Sequence, residues 1–158
     1  MKTRDGFVSN SSSSSFVIAL DEKPKNIKEL RFCMWLWEDL IEKKDFDISV
    51  KIDTVAKRIL NDIRKSKPTT KWKDIYDVMN KGVCYNELMP DSDDFKSYKE
   101  YEKRYKETSK IVAKTFMLNN RKKNVYILEY GDNVTDLESY IEYGGVFDRI
   151  RHLWISHH

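Results

Sequence analysis

Cysteine is rare in this sequence, and long apolar runs are missing from it. Only Cys33 and Cys84 are present, and Cys33 lies in an apolar helical pattern, where a free thiol packs as a small hydrophobe. A disulfide framework is therefore not expected. No run approaches the roughly 18 apolar residues that span a bilayer, and no apolar signal region follows the N-terminus. We expect a cytoplasmic protein with no membrane partner.

An excess of either charge is also missing. The 29 lysines and arginines nearly balance the 26 aspartates and glutamates, which leaves a net charge of +3. Such a balance gives no general electrostatic footprint for nucleic acid. The densest basic cluster, residues 121–123, lies on a predicted connection, where three cations favour plain solvation. Nucleic acid is therefore not an expected partner.

The composition is that of a globular protein, with 40% hydrophobic and 35% charged residues. A length of 158 residues suits one domain over the whole chain, 1–158. Apolar runs predict three strands, and amphipathic periodicity predicts the helices. The predicted strands are 16–20, 125–130 and 152–156, and the predicted helices are 26–43, 52–66, 71–80, 93–118 and 134–143. We predict an α+β fold, in which a small mixed sheet is covered by about four helices from the middle of the chain.

The last two strands and the helix between them form a β-α-β unit, for which the default is a parallel pair with a right-handed crossover. Both strand exits then lie at one edge of the sheet, which places Asp132 and Asn133 beside His157 and His158. The segment before the first strand reaches the same edge if that strand is antiparallel to the other two. We favour this arrangement because it brings the polar segments together.

Six serines and one asparagine occupy residues 9–15, immediately before the first strand. Hydroxyls and backbone N–H groups of such a loop can surround a phosphate. The run lacks a Walker signature and precedes a strand, so no helix dipole aids an anion, and a flexible polar tail is the alternative. Apolar residues on both sides favour an ordered loop. The predicted ligand-binding residues are Arg4, Ser9, Asn10, Ser11, Ser12, Ser13, Asp132 and Asn133.

All three histidines lie within the last seven residues. Imidazoles and carboxylates are the usual ligands of zinc, manganese or iron. The histidines therefore indicate a divalent metal as a candidate cofactor. Adjacent residues on a strand point to opposite faces, so both terminal histidines could be ligands only with a twist of the terminus. The alternative is a solvated terminus. The predicted metal ligands are Asp132, Glu142, His157 and His158.

A serine of the run could instead act as a nucleophile activated by a terminal histidine, with Asp132 orienting the imidazole. No Gly-x-Ser-x-Gly motif occurs, and no oxyanion hole can be named. This pairing is the weakest of the three interpretations of the chain ends.

Residues 4–16 have the pattern R-x-GFVSNSSSSSF, and the chain closes with Ser156-His157-His158 behind the acidic Gly-Gly segment 142–147. These two ends resemble a scattered group of small uncharacterised proteins from bacteria and their phages. The helical middle, residues 26–118, has no counterpart there. The resemblance implies a phage or mobile-element setting, and thus the host cytoplasm, and it implies that the shared ends form one site. It carries no established activity.

Three functions are compatible with these observations, and whether the protein is an enzyme stays open. The first is a soluble protein of phage or mobile-element type that binds a small anionic ligand, such as a nucleotide, at the serine-rich loop. The second is a metal-dependent phosphoester hydrolase at the same site. The third is a protein-interaction module, or an inhibitor of a host protein, with Trp35, Trp37 and Trp72 as hot spots. Exposed tryptophans would favour the third function, and core tryptophans would oppose it.

Overall fold

The computed structural model describes residues 13–37, 40–42, 49–131 and 136–157. Within these ranges the chain forms a four-stranded sheet, a two-stranded sheet and five α-helices, which confirms the predicted α+β fold. The strands are β1 Ser13–Leu20, β2 Leu40–Glu42, β3 Ser49–Lys51, β4 Val83–Cys84, β5 Asn124–Gly131 and β6 His152–Ser156. The helices are α1 Ile27–Cys33, α2 Ile52–Lys65, α3 Trp72–Met79, α4 Tyr98–Asn119 and α5 Asp136–Tyr143.

Strand β1 lies inside the four-stranded sheet, whose order is β4-β6-β1-β5. Val17 pairs with Ile127 of β5 on one side and with Leu153 of β6 on the other, and both pairings are antiparallel. The predicted antiparallel direction of the first strand is confirmed. The predicted direct pairing of the last two strands is not formed, because β1 lies between them. Every neighbouring pair of the sheet is antiparallel, which differs from the mixed sheet predicted.

Two apolar cores lie on the two faces of this sheet. Phe16, Ile18 and Leu20 pack in the core with α1, α2 and α5, whereas Val17 and Ala19 pack in the core with α3 and α4. Residues of a strand alternate between its faces, so a continuous apolar run is buried only if both faces are covered. Helices cover both faces of the sheet here, and all five residues of the run 16–20 are buried.

Helix α1 ends at Cys33, so the predicted extension of this helix to residue 43 is wrong. Trp35 has a left-handed backbone, with φ of 59°. Its N–H donates to the carbonyl of Phe32 (3.2 Å), and the Leu36 N–H donates to the carbonyl of Arg31 (2.9 Å). This pair of bonds is a Schellman motif, which closes a helix. The apolar periodicity continues past this point in the sequence and gives no sign of the turn.

Helix α4 begins at Tyr98 and ends at Asn119, so the start predicted at residue 93 is wrong. The Ser97 side chain accepts a hydrogen bond from the Glu100 N–H (3.2 Å), which is the contact of an N-cap. The acidic residues before it form a separate 3₁₀ turn, Ser92–Asp94. The acidic cluster thus belongs to the turn that precedes the helix.

Helices α2 and α3 lie close to their predicted ranges, and α5 does so within the described residues. Among the described helices, none combines the length and the apolar character that a membrane crossing needs. Both cysteines are free, as expected.

Candidate functional site

The start of β1 meets the ends of β5 and β6 at one edge of the sheet. Ser13 pairs with Gly131, the last residue of β5, and its carbonyl accepts a hydrogen bond from the His157 N–H (2.9 Å). Of the segments predicted to meet here, Ser13 and His157 lie within the described residues, and they are in contact at this edge. The strand begins at Ser13 and not at Phe16, so the last three serines of the run belong to the sheet.

Ser14 and Ser15 are buried, and their side chains lie on opposite faces of β1. The Ser14 hydroxyl donates to Glu142 Oε1 (2.7 Å), and the Glu142 carboxylate belongs to α5 and is itself buried. A buried carboxylate is stabilised when hydrogen-bond donors reach it. Ser14 thus ties helix α5 to the middle of the sheet.

Ser15 forms a hydrogen bond with the imidazole of His157, with Oγ and Nε2 2.7 Å apart. The other ring nitrogen, Nδ1, lies 3.1 Å from the carbonyl oxygen of Lys81, which only accepts. Nδ1 therefore carries the proton, and Nε2 accepts from the Ser15 hydroxyl. This is the geometry of a nucleophile and its base, but Ser15 is only 3% exposed, so a substrate cannot reach its oxygen.

Gly82 permits the close approach of the chain to this histidine. A Cβ atom at this position would lie 2.2 Å from the Ser156 carbonyl oxygen and 2.8 Å from His157 Nδ1. Any other residue would push the C-terminal strand away from the turn after α3. The Ser15–His157 contact is thus a fixed structural link between β1 and the end of β6.

The structure separates the two predicted metal ligands that it describes. Glu142 contacts Ser14 on one face of β1, and His157 contacts Ser15 on the other face. Within the described ranges, no group of three or more histidine, cysteine, aspartate or glutamate side chains could hold a metal ion. The remaining predicted site residues lie outside the described residues; they are Arg4, Ser9, Asn10, Ser11, Ser12, Asp132, Asn133 and His158.

A partly buried ion cluster joins α2 to α5. Arg58 donates through Nη2 to Glu138 Oε1 (2.6 Å) and through Nε to Asp62 Oδ2 (2.9 Å). Its guanidinium carbon also lies 5.5 Å from the centre of the Tyr130 ring. Burial, together with the nearby Asp62 carboxylate, raises the pKa of the Tyr130 hydroxyl. One arginine therefore serves two carboxylates and a buried ring.

Three large aromatic side chains are exposed together at the end of α1; we call them the aromatic patch. They are Phe32, Trp35 and Trp37, and their exposed fractions are 69%, 56% and 54%. The Trp37 ring is nearly perpendicular to Phe32 (5.8 Å between centroids) and to Trp35 (6.0 Å). Trp72, the third predicted hot spot, is half-buried against the core of α3 and α4. Two of the three predicted tryptophans are thus exposed and lie in contact.

Two arginines hold the turn that carries the aromatic patch. Arg149 Nη1 donates to the carbonyl of Trp35 (2.5 Å). Arg31 donates to the carbonyls of Leu36 (3.0 Å) and Trp37 (3.3 Å), and its Nη1 is also paired with Asp53 (2.9 Å). The positive φ of Trp35 is therefore fixed by contacts from two separate parts of the chain.

A cavity of about 800 Å³ adjoins the aromatic patch. Phe32 and Trp37 form part of its wall, and its charged lining consists of three carboxylates and two cations: Glu22, Glu29, Asp53, Lys28 and Arg31. Burial, followed by the negative charges of Glu22, Asp21 and Glu29, raises the pKa of the Cys33 thiol, which also lines this cavity.

The comparisons with known proteins give no match. No family model fits the chain, and no curated protein or solved structure is significantly similar to it. Function is therefore argued from the geometry of the chain itself.

The sequence indicates the aromatic patch, although the helical periodicity of this segment predicts that its apolar residues are buried. Leu30 and Met34 form the buried face of α1 and its cap, and they are fully buried. Phe32 and Trp35 lie off this face, where an amphipathic helix carries polar residues. Large aromatic residues at such positions are typical of binding surfaces.

Proposed function

We propose that this protein is a protein-interaction module that docks a partner on the aromatic patch, and that the partner segment carries a lysine or arginine among apolar side chains. The observation that carries the proposal is Trp35, an exposed ring on a left-handed backbone that two arginines hold in place. Such strain persists only where the surrounding structure fixes it, and it clusters at binding sites.

The apolar character of the partner follows from the three rings. Phe32, Trp35 and Trp37 form one contiguous exposed surface, because Trp37 contacts both of the other rings. Aromatic side chains are the most frequent hot spots of protein interfaces, since they bury a large area and lose little conformational entropy. Singly scattered exposed residues would not support this argument.

The basic character of the partner follows from the adjoining cavity. Its carboxylates exceed its cations by one, since Asp53 is paired with Arg31, and Glu22 and Glu29 lie opposite Lys28. The Glu29 carboxylate also accepts a hydrogen bond from the Lys25 N–H (2.7 Å), which holds it in place. A lysine or arginine that enters the cavity would meet carboxylates and the faces of tryptophan rings together, and both attract a cation. The resemblance of the chain ends to phage proteins makes a bacterial host protein the expected source of this segment.

A peptide selection tests the proposal. A random peptide library is selected on the immobilised protein, and the enriched peptides are synthesised and titrated against purified variants. We expect basic residues beside aromatic or aliphatic ones, and binding at least tenfold weaker for Trp37→Ala, as at an interface hot spot. Tyr98→Ala is the matched control, because Tyr98 is 74% exposed on α4, away from the patch, and its loss leaves binding unchanged.

Cys33 reports on occupancy of the cavity. A bound peptide slows alkylation of the Cys33 thiol, which lines the cavity, whereas alkylation of the buried Cys84 does not change. Peptides without basic residues, or equal binding to wild type and Trp37→Ala, would contradict the proposal.

The anionic-ligand site at the start of β1 stays a second proposal. Its support is the convergence of Ser13, Gly131 and His157 at one edge of the sheet. The expected result is one ADP site fewer in His157→Ala than in the wild type, and an unchanged number of ADP sites in His152→Ala, on β6. Isothermal titration with ADP makes this comparison, and equal numbers of ADP sites in the two variants would oppose a ligand at this edge.

A further inference from the structure

A basic pocket lies on the other face of the sheet, where α3, α4 and the turn before β5 meet. Its cavity of about 350 Å³ is lined by Trp72, Thr69, Thr70, Lys114, Arg121 and Lys123, among others. We propose that this basic pocket binds a phosphate group next to a flat ring, as a nucleotide presents them, free or within a single strand. The proposal does not rest on the aromatic patch, which lies beside α1.

The charges of the basic pocket are of one sign. Lys114, Arg121 and Lys123 line it, and no carboxylate does. Lys123 has Asp21 at 3.5 Å, but the Asp21 side chain is 82% exposed, and an exposed ion pair contributes little. Like charges held together destabilise a folded protein, and a bound anion removes this repulsion. The pocket therefore favours an anionic ligand.

Trp72 supplies the flat ring and organises two ammonium groups beside it. Lys114 Nζ lies 4.8 Å from the centre of the Trp72 ring, and Lys110 Nζ lies 5.8 Å from it. The Trp72 ring is half-buried and also contacts Tyr76 edge-on (5.9 Å). A base that stacks on this ring would leave both lysines free to turn to the phosphate. Aromatic rings and cations side by side are the common elements of nucleotide and single-strand sites.

The wall of the pocket is anchored to the sheet. The Thr69 N–H donates to the carbonyl of Val125 in β5 (2.8 Å), and the Thr69 hydroxyl bonds to Asp74 in the first turn of α3. The hydroxyl of Thr69 also accepts from the Lys71 N–H (3.2 Å). These bonds set the position of the segment that presents Thr69 and Thr70, so the pocket exists before a ligand arrives.

The sequence could not reveal this arrangement. The cluster at residues 121–123 alone favours solvation, because three cations on a connection need no ligand. The fold adds a tryptophan from α3 and two lysines from α4, which are distant in the sequence. The combination of ring and cations therefore exists only in the folded chain.

Titration with three probes at low ionic strength tests the proposal. The probes are pyrophosphate, ADP and a short single-stranded oligonucleotide, and the readouts are calorimetry and quenching of tryptophan fluorescence. We expect ADP to bind at least tenfold more tightly than pyrophosphate, because stacking on Trp72 adds to the phosphate contacts. The Trp72→Phe variant keeps a flat ring and removes the quenching, which assigns the signal to this residue.

The decisive comparison uses two double variants on the same helix. Lys110→Gln with Lys114→Gln removes two charges beside Trp72, and we expect at least tenfold weaker ADP binding. Lys99→Gln with Lys103→Gln removes two exposed charges at the same spacing on α4, and binding stays within twofold of wild type. His157→Ala leaves the quenching of Trp72 by ADP unchanged, which separates this pocket from the edge of the sheet.

The outcomes distinguish the sources of the phosphate. Tighter binding of the oligonucleotide than of ADP identifies a single strand as the ligand, and equal or weaker binding identifies the free nucleotide. Equal affinity for pyrophosphate and ADP would overturn the role of the ring. Absence of binding for all three probes, or equal losses in the two double variants, would overturn the site.

Discussion

Trp35 has a left-handed backbone conformation, which residues other than glycine rarely adopt. A Cβ atom in this region costs about 1 to 2 kcal/mol relative to the right-handed conformation. Glycine would close the helix at lower cost. The tryptophan therefore does not stabilise the turn, which agrees with the proposed role of its exposed ring in binding.

A pair of substitutions separates the ring from the strain. Trp35→Gly and Trp35→Ala both remove the indole, but only alanine keeps a Cβ atom at the positive φ. We expect the glycine variant to be more stable than the alanine variant by about 1 kcal/mol, because the strain is released. Urea unfolding followed by circular dichroism measures the difference. Equal stabilities would mean that the turn changes its conformation in one of the variants.

The serines show one limit of prediction from the sequence at the same scale. The loop predicted for residues 9–15 is wrong for the last three serines, since Ser14 and Ser15 lie in a strand and bond to side chains near the other end of the chain. Small polar residues are poor strand formers by themselves. Here tertiary hydrogen bonds decide their conformation, and a local pattern cannot contain these partners.

Helices α2 and α5 are joined by Arg58, which contacts Glu138 and Asp62 through different nitrogens. The Glu138 carboxylate is almost fully buried. A buried charge that loses its counter-charge destabilises a protein strongly, by roughly 3 to 5 kcal/mol. This pair therefore matters more than the exposed pairs on α4.

Replacement of Arg58 by methionine tests the importance of this link. We expect Arg58→Met to lower the free energy of unfolding by about 2 to 3 kcal/mol, because Glu138 stays buried without its guanidinium. Arg104→Met is the control, since Arg104 forms an exposed pair with Glu107 on α4 and its loss changes stability by less than about 0.5 kcal/mol. Chemical denaturation of both variants measures their free energies of unfolding. Similar decreases in the two variants would show that the Arg58–Glu138 pair contributes no more to stability than an exposed pair.

The helices also show what periodicity can predict. The positions of α2 and α3 follow from their apolar spacing, because both helices are amphipathic from end to end. The end of α1 does not follow, because the apolar spacing continues through a turn that Arg149, more than a hundred residues away, helps to hold. A helix end that depends on distant contacts cannot be predicted from the local sequence pattern.

The whole molecule carries its two proposed binding surfaces on opposite faces of the sheet. The aromatic patch and its cavity adjoin α1, which packs on one face, and the basic pocket lies between α3 and the end of α4 on the other face. The net charge of +3 reveals neither surface. The two proposals are therefore compatible with simultaneous occupancy.

Buried acids make the stability of the whole fold depend on alkaline pH. Burial raises the pKa of Cys84 from 9.0 to about 11, and burial also raises the pKa values of Tyr105 and Tyr126 above 10.0. A raised pKa favours the protonated group in the folded state, so its stabilisation is complete below pH 9 and is lost as pH rises through 11. We expect the free energy of unfolding to fall over this range.

The Cys84→Ala variant measures how much the Cys84 thiol contributes to this pH dependence. Between pH 9 and 10 the wild-type protein should lose stability more steeply than the variant, with a difference on the order of 2 kcal/mol by pH 11. Urea unfolding at a series of pH values measures both slopes. Parallel slopes would show that Cys84 does not contribute to the pH dependence.

The sheet as a whole was predicted in part. The three long strands follow from the sequence, because each is an apolar run bounded by polar segments. The position of β1 between β5 and β6 does not follow, because a helix that connects two consecutive strands favours direct pairing of those strands.

The internal position of β1 has a kinetic consequence. About 110 residues separate Val17 from its partner Ile127, and the pairing with β6 spans still more of the chain. Neither edge of β1 can pair until these distant strands arrive, so the entropy of a long loop is lost before the contacts that repay it form. The protein should therefore refold slowly for its size, with β1 exposed and prone to association until the late strands pair.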